Sequence, residues 1–150
     1  MTADADPIVA RRAAVATICE GAARTTVDRV VEEAVRAASI FGLTRERATA
    51  YGEGIHSTLP PALAAMKLPD GPEREARITE LGVAVRAVSE SHHVPRIIER
   101  GLVMIAVRIA REVIRRRAER EGFTADELDA EFVSFADQLE ERLFRGDAPA

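Results

Sequence analysis

Two apolar stripes in the C-terminal third of the chain most constrain how it folds. In each stripe, five apolar residues are separated by four, three, four and four positions, a spacing that places them on one face of an α-helix. Two helices with such faces have to bury them, either against the rest of the chain or against a second copy of it. The first stripe is Ile98, Leu102, Ile105, Ile109 and Val113, and the second is Leu128, Phe132, Phe135, Leu139 and Leu143.

The first stripe is broadened by Ile97, Met104 and Ala106. We therefore expect its helix to be central and to be contacted from several sides. The two stripes are our candidates for a homodimer seam, and the alternative is that both fill the core of one monomer.

The N-terminal third also has helical spacing, in "PIVARRAAVATICEGAA" and then in "ARTTVDRVVEEAVRAASIFG". Pro7 suits the first turn of a helix. Thr25 and Asp28 form a loose capping-box pattern, so the two stretches are either one long helix or two helices broken near residues 21–26. We expect Gly42 to end the second stretch.

Local signals divide the rest of the chain into further helices. Thr44 is a good N-cap for a helix that should end before Pro60, and "PPALAAMK" is a short helix or a turn. "LPDGPE" predicts an exposed loop, after which Pro72 opens a helix over about residues 73–90. Near the C-terminal end, Gly122 should end the long helix, and "TADE" from Thr124 is a capping box for a last helix that reaches about residue 145.

"SESHHVPRIIERG" places His92 and His93 beside a proline, between two of these helices. A histidine in a last helical turn complements the helix dipole, and a proline just beyond it prevents the helix from continuing. We therefore interpret the two histidines as a helix boundary rather than as an acid–base pair.

These segments predict an all-α fold, either globin-like or a multi-helix bundle of about five to six helices. We expect residues 1–150 to form a single helical domain, with frayed ends at residues 1–6 and 146–150. The sequence shows no strand pattern and no internal repeat.

Composition narrows the classes of function. The net charge of -4 argues against a general nucleic-acid binder, which is usually basic over a whole face. Cys19 is the only cysteine, so we expect a small buried apolar residue there and no disulfide within the chain. The sequence has neither the apolar run of a membrane span nor a signal-peptide pattern, and the expected compartment is the bacterial cytoplasm.

A Glu-x-x-His pattern occurs twice, as Glu53–His56 and as Glu90–His93. Residues three apart share a helix face, and ferritin-like di-iron bundles use two such pairs together with glutamates from other helices. Here both pairs lie at predicted helix ends, whereas di-iron ligands lie in the middle of long helices. We therefore expect no cofactor, and a di-iron or other metal site remains the alternative interpretation.

"RIAREVIRRR" is a basic patch that suits either the solvated flank of an amphipathic helix or a DNA contact. A DNA-recognition helix needs a helix-turn-helix partner, and no clear partner precedes this segment, so direct nucleic-acid binding is the second alternative. The sequence contains no phosphate loop, no H-E-x-x-H and no G-x-S-x-G, which disfavours an enzyme.

From "ESHHVPRIIERGLVMIAVRIAREVIRRR" onward the chain resembles the helical N-terminal region of PucR-type transcriptional regulators, and it is similar to that of RsbR-type stress regulators. The shared features are the Val94–Pro95 step that opens a long helix and the second helix that follows a short polar loop. The resemblance covers about residues 59–145 and includes no catalytic residues. It implies a non-catalytic sensor or dimerisation module that forms a homodimer and acts on a downstream regulatory protein or domain. A ligand pocket with apolar walls and a few polar groups is compatible with such a module.

Overall fold

The structure is a computed structural model of the chain, and it describes residues 6–37 and 42–145. These residues form six α-helices and one 3-10 turn, with no strand, so the prediction of an all-α multi-helix bundle is confirmed. A globin-like arrangement stays a prediction. The helices are α1 (Pro7–Arg36), α2 (Arg45–His56), α3 (Leu59–Lys67), α4 (Pro72–Ser91), α5 (Arg96–Arg117) and α6 (Ala125–Phe144), and the 3-10 turn is Ala118–Glu121. None of these helices combines the length and the apolar character that a membrane span requires.

The first helix, α1, is continuous over 30 residues, which decides between the two N-terminal alternatives. A glycine inside a helix costs about 1 kcal/mol, but apolar residues on both sides of Gly21 are anchored in the core, and this packing outweighs the local cost. Thr25 lies inside the helix and caps nothing. The helix ends at Arg36, before the predicted end at Gly42, and residues 38–41 lie outside the described part of the chain.

Asp6, the last residue of the expected frayed N-terminal end, lies directly before α1, and fraying of this end stays a prediction. Its carboxylate accepts a hydrogen bond of 2.9 Å from the backbone amide of Ile8 and so caps α1. The other residues of the predicted frayed ends, 1–5 and 146–150, lie outside the described residues.

Most of the local boundary signals are confirmed. The Thr44 hydroxyl accepts from the amide of Arg47 at 3.1 Å, and Thr124 and Glu127 form the complete capping box. Gly122 adopts a left-handed φ of 86° beyond the 3-10 turn, a conformation that favours glycine. The histidine pair is indeed a helix boundary, because His92 is the C-cap of α4 and His93 has a φ of 55°.

The helix α1 packs against α2, α3, α5 and α6, while α4 packs against α2, α3 and α6. The buried side chains form two clusters. The larger joins the N-terminal half of α1 to α3, α4, α6 and the end of α5, and the smaller joins Ala34 and Leu43 to α2 and the start of α5.

The two stripes lie largely inside this single chain. Seven of the ten stripe residues are buried, and Ile98, Ile105 and Leu139 are half-buried. The monomer core therefore explains both spacings without a second copy, and homodimerisation stays a prediction. Our expectation that Ile97 and Met104 make the α5 helix central is wrong, because these side chains are 79% and 62% exposed and face solvent.

A candidate ligand cavity

The middle of the molecule is less tightly packed than its two ends. Between Ala22 and Ala34, no residue of α1 is fully buried, although Val27, Val30 and Val31 have core spacing. The α5 helix, which packs against α1, has no buried residue between Leu102 and Ile109. Protein interiors are otherwise close-packed. Apolar side chains that face inward but are only half-buried therefore lie next to unfilled space.

That space is a half-enclosed cavity of about 260 Å³ between the two core clusters. The α1, α2, α3 and α5 helices form its walls, and it extends inward as far as α4 and α6. An apolar cavity of about 150 Å³ already binds benzene, whereas pockets for drug-sized ligands begin at about 300 Å³. This cavity is therefore large enough for a small organic molecule. The residues that α4 and α6 contribute to the wall are Leu81, Val85, Phe132, Leu139 and Leu143.

The cavity wall is almost entirely apolar. Among the described residues that line it, none is Asp, Glu, Lys or Arg. Aliphatic side chains and alanines make up most of the surface, so water in the cavity would find few hydrogen-bonding partners. The polar side chains in the wall are Cys19, Thr26, Tyr51, His56 and Thr58.

Two of these polar groups do not ionise at neutral pH. Desolvation by burial raises the pKa of the Cys19 thiol to about 12. The predicted small buried apolar residue is half-buried, and it packs against the larger core cluster. Desolvation is also the main reason that the pKa of Tyr51 rises to about 12, with a smaller contribution from the negative charge of Glu99 and an opposing one from the hydrogen bond to Ser89.

Tyr51 connects the wall to a buried polar network behind it. Its hydroxyl lies 3.3 Å from the Ser89 hydroxyl, and Ser89 donates a hydrogen bond of 2.5 Å to the Glu99 carboxylate. Glu99 is fully buried and also accepts from Arg86 at 3.2 Å. Arg86 in turn donates to the backbone carbonyl of Leu143 near the end of α6. The network thus joins α2, α4, α5 and α6 beside the cavity.

Comparison with family models, with curated proteins and with solved structures found no match to this chain. The resemblance to PucR-type and RsbR-type regulators therefore stays a prediction.

The two Glu-x-x-His pairs do not form a common site. Glu53 is exposed and pairs with Arg24 at 2.5 Å, and this hydrogen bond is the main reason that the pKa of Glu53 is lowered. His56 lines the cavity instead, while Glu90 and His93 are exposed at the end of α4. In residues 6–37 and 42–145, no three His, Cys, Asp or Glu side chains come together where they could hold a metal ion. The di-iron arrangement has no counterpart there.

Carboxylates within the chain pair with most of the basic patch on α5. Arg108 binds Glu33 of α1 at 2.5 Å, and Arg111 and Arg115 both bind Asp129 of α6. Arg111 holds Asp129 with two hydrogen bonds of 2.9 Å. These three arginines thus join helices of the bundle while their side chains remain partly exposed, and a DNA contact stays the untested alternative.

The pairing of Asp129 with Arg111 predicts that the stability of the protein depends on pH. Hydrogen bonding from Arg111 lowers the pKa of Asp129 in the folded state, so the pair adds stability above the unfolded pKa of about 3.9 and loses it as the pH falls through the folded pKa. We expect Asp129→Asn to lower the free energy of unfolding by about 1 kcal/mol at pH 7. The difference in this free energy between the variant and the wild type should shrink in acid. Urea unfolding at several pH values measures this. The control is Asp126→Asn in the same helix, where the side chain is 88% exposed, and equal losses in both variants would contradict the prediction.

The cavity has no direct signature in the sequence. The one available signal is the presence of small residues on the two helices that border it. These residues are Ala22 and Ala23 on α1, and Ala106 and Ala110 on α5.

Proposed function

We propose that this chain is a non-catalytic sensor module that binds an apolar small molecule in the cavity between α1, α2, α3 and α5. The single observation that carries the proposal is the cavity itself, which combines a volume of about 260 Å³ with a wall whose described residues include no Asp, Glu, Lys or Arg. Binding there would add contacts between the two core clusters and so would stabilise the folded state. The proposed setting is a bacterial, cytoplasmic signalling or transcription-control system.

The chemistry of the wall favours binding over catalysis. General acid–base or nucleophilic chemistry needs a group that changes its protonation state near neutral pH, or a nucleophile activated by a neighbouring base. Cys19 and Tyr51 both have a pKa of about 12, and the charged Glu99 lies behind Tyr51 rather than in the wall. His56 is the one histidine in the wall, and no carboxylate of residues 6–37 and 42–145 lines the wall with it.

Filling the cavity tests this function. We expect N-phenylnaphthylamine, an uncharged apolar fluorophore, to bind the wild-type protein and brighten. Ala23→Phe places a ring in the cavity and should weaken that binding by at least about tenfold, or 1.4 kcal/mol. The same ring should leave the free energy of unfolding unchanged or raise it by about 1 kcal/mol, because it fills existing space.

The matched control is Ala13→Phe, at an exposed position in the same helix that does not line the cavity. It should bind the fluorophore as the wild type does. Absence of binding to the wild type would remove the proposed function. Equal binding by Ala23→Phe would show that the fluorophore binds somewhere else on the protein.

A further inference from the structure

The cavity is bordered along much of the length of two neighbouring helices. Its lining runs along α1 from Ile18 to Ala34, and along α5 from Leu102 to Ile114, which correspond to about 24 Å and about 18 Å of helix. Because the lining spans between four and five turns of α1 and more than three turns of α5, a chain-shaped molecule can contact more of it than a compact one.

Only a few of the polar groups in the wall remain available to a ligand. The Tyr51 hydroxyl is placed against Ser89, and the Thr58 hydroxyl donates to the carbonyl of Ile55 at 2.6 Å. In the described part of the chain, neither the His56 ring nor the Thr26 hydroxyl takes part in a hydrogen bond to another protein group.

These two groups lie in the same region of the cavity. His56 follows Glu53 by one helical turn on α2, and Glu53 is joined to Arg24 on α1. Thr26 lies two residues after Arg24, so the α1–α2 side of the cavity carries both groups. A ligand with a polar end would satisfy that end here and place its apolar part along the aliphatic wall.

The charge of this polar end follows from its surroundings. The described residues of the wall include no Asp, Glu, Lys or Arg that could pair with an ionised group, and Arg24 and Glu53 already neutralise each other nearby. Burial of an unpaired charge is far more costly than burial of a hydroxyl or a carbonyl that finds a hydrogen bond. The polar end is therefore uncharged.

We propose that the cavity binds a single-chain aliphatic amphiphile, with its chain between α1 and α5 and an uncharged hydrogen-bonding head, such as an alcohol, ketone or amide, at His56 and Thr26. This inference rests on the proposed function, because it specifies the ligand class of the same cavity.

The shape of the ligand is tested by displacement of N-phenylnaphthylamine from the wild-type protein with straight-chain primary alcohols. Affinity should rise about fourfold for each added methylene, up to a length at which the chain fills the cavity and the increase stops. Decanol should displace the fluorophore at least tenfold better than adamantanol, a compact alcohol with the same number of carbons.

The head is tested with decanoate and decylammonium, which should each displace the fluorophore at least tenfold more weakly than decanol does. Thr26→Val keeps the shape of the side chain and removes its hydroxyl, and His56→Leu removes the ring nitrogens. Each variant should weaken decanol binding about fivefold while its affinity for N-phenylnaphthylamine stays within about twofold. Thr49→Val, an exposed position on α2, should change neither affinity.

The results separate this inference from the function on which it rests. If the fluorophore binds but adamantanol matches decanol, or alcohol affinity does not depend on chain length, the single-chain ligand is wrong and the apolar site stands. If decanoate binds as tightly as decanol, or if both Thr26→Val and His56→Leu bind decanol normally, the uncharged head at this position is wrong. Failure of the wild type to bind the fluorophore would instead remove the proposed function.

Discussion

Replacement of Glu99 by alanine is expected to cost about 3 to 5 kcal/mol of unfolding free energy, the largest effect that we predict for any single substitution. The carboxylate is fully buried between α4 and α5, where it accepts hydrogen bonds from Ser89 at 2.5 Å and Arg86 at 3.2 Å and pairs with Arg96 at 3.4 Å. Its removal leaves the buried Ser89 hydroxyl without its acceptor and the partly buried Arg86 guanidinium without its counter-charge. An unsatisfied buried polar group and an uncompensated charge are both costly.

Urea unfolding at neutral pH measures this loss, and Glu90→Ala is the matched control. Glu90 lies at the end of α4 beside Ser89, but it is exposed, so its removal should change the free energy of unfolding by no more than about 0.5 kcal/mol. Similar losses in the two variants would mean that Glu99 contributes no more than a surface carboxylate.

Glu99 also changes the interpretation of the segment around the paired histidines. The sequence correctly predicts a helix boundary at "SESHHVP", and the histidines are its most conspicuous residues. The side chains that hold the boundary together are Ser89 and Glu99, which stand on either side of it and hydrogen bond across it. Neither residue type signals this by itself, because serine and glutamate at helix ends are ordinary surface residues.

Helix ends are predictable from the sequence because their signals are local. The Thr44 cap, the Thr124 capping box and the glycine at 122 each depend on a few adjacent residues and on backbone preferences. The continuity of α1 is not predictable in this way. The low helix propensity of Gly21 opposes it, and only the packing of α1 against helices that are distant in the sequence supports it.

The cavity escapes prediction for a different reason. Val27 and Val30 in α1 have the same helical spacing as Val15 and Ile18, but the first pair is half-buried beside the cavity and the second pair is buried in the core. Periodicity tells which face of a helix points inward. It does not tell whether the neighbouring helices fill the space opposite that face.

The glycines on either side of Glu53 have low helix propensity, and the structure gives them a packing role in α2. A Cβ atom added to Gly54 would lie 2.6 Å from Cγ1 of Val88 on α4, and one added to Gly52 would lie 2.8 Å from Cγ2 of Val31 on α1. Real Cβ atoms do not approach so closely, so α2 fits between α1 and α4 only because both positions lack a side chain.

Gly54→Ala is therefore expected to lower the free energy of unfolding by about 2 kcal/mol, since the clash of an overpacked core outweighs the gain of about 1 kcal/mol from better helix propensity. Val88 is β-branched and has little freedom to move aside. The double variant Gly54→Ala, Val88→Ala makes room for the new methyl group, so its loss of unfolding free energy should be smaller than the sum of the losses in the two single variants.

Gly82→Ala is the control, because the nearest atom to its added Cβ would lie at an ordinary 3.4 Å, and it should be neutral or stabilising. If Gly54→Ala is as stable as Gly82→Ala, or if the double variant shows strict additivity, α2 and α4 are not in tight contact at Gly54.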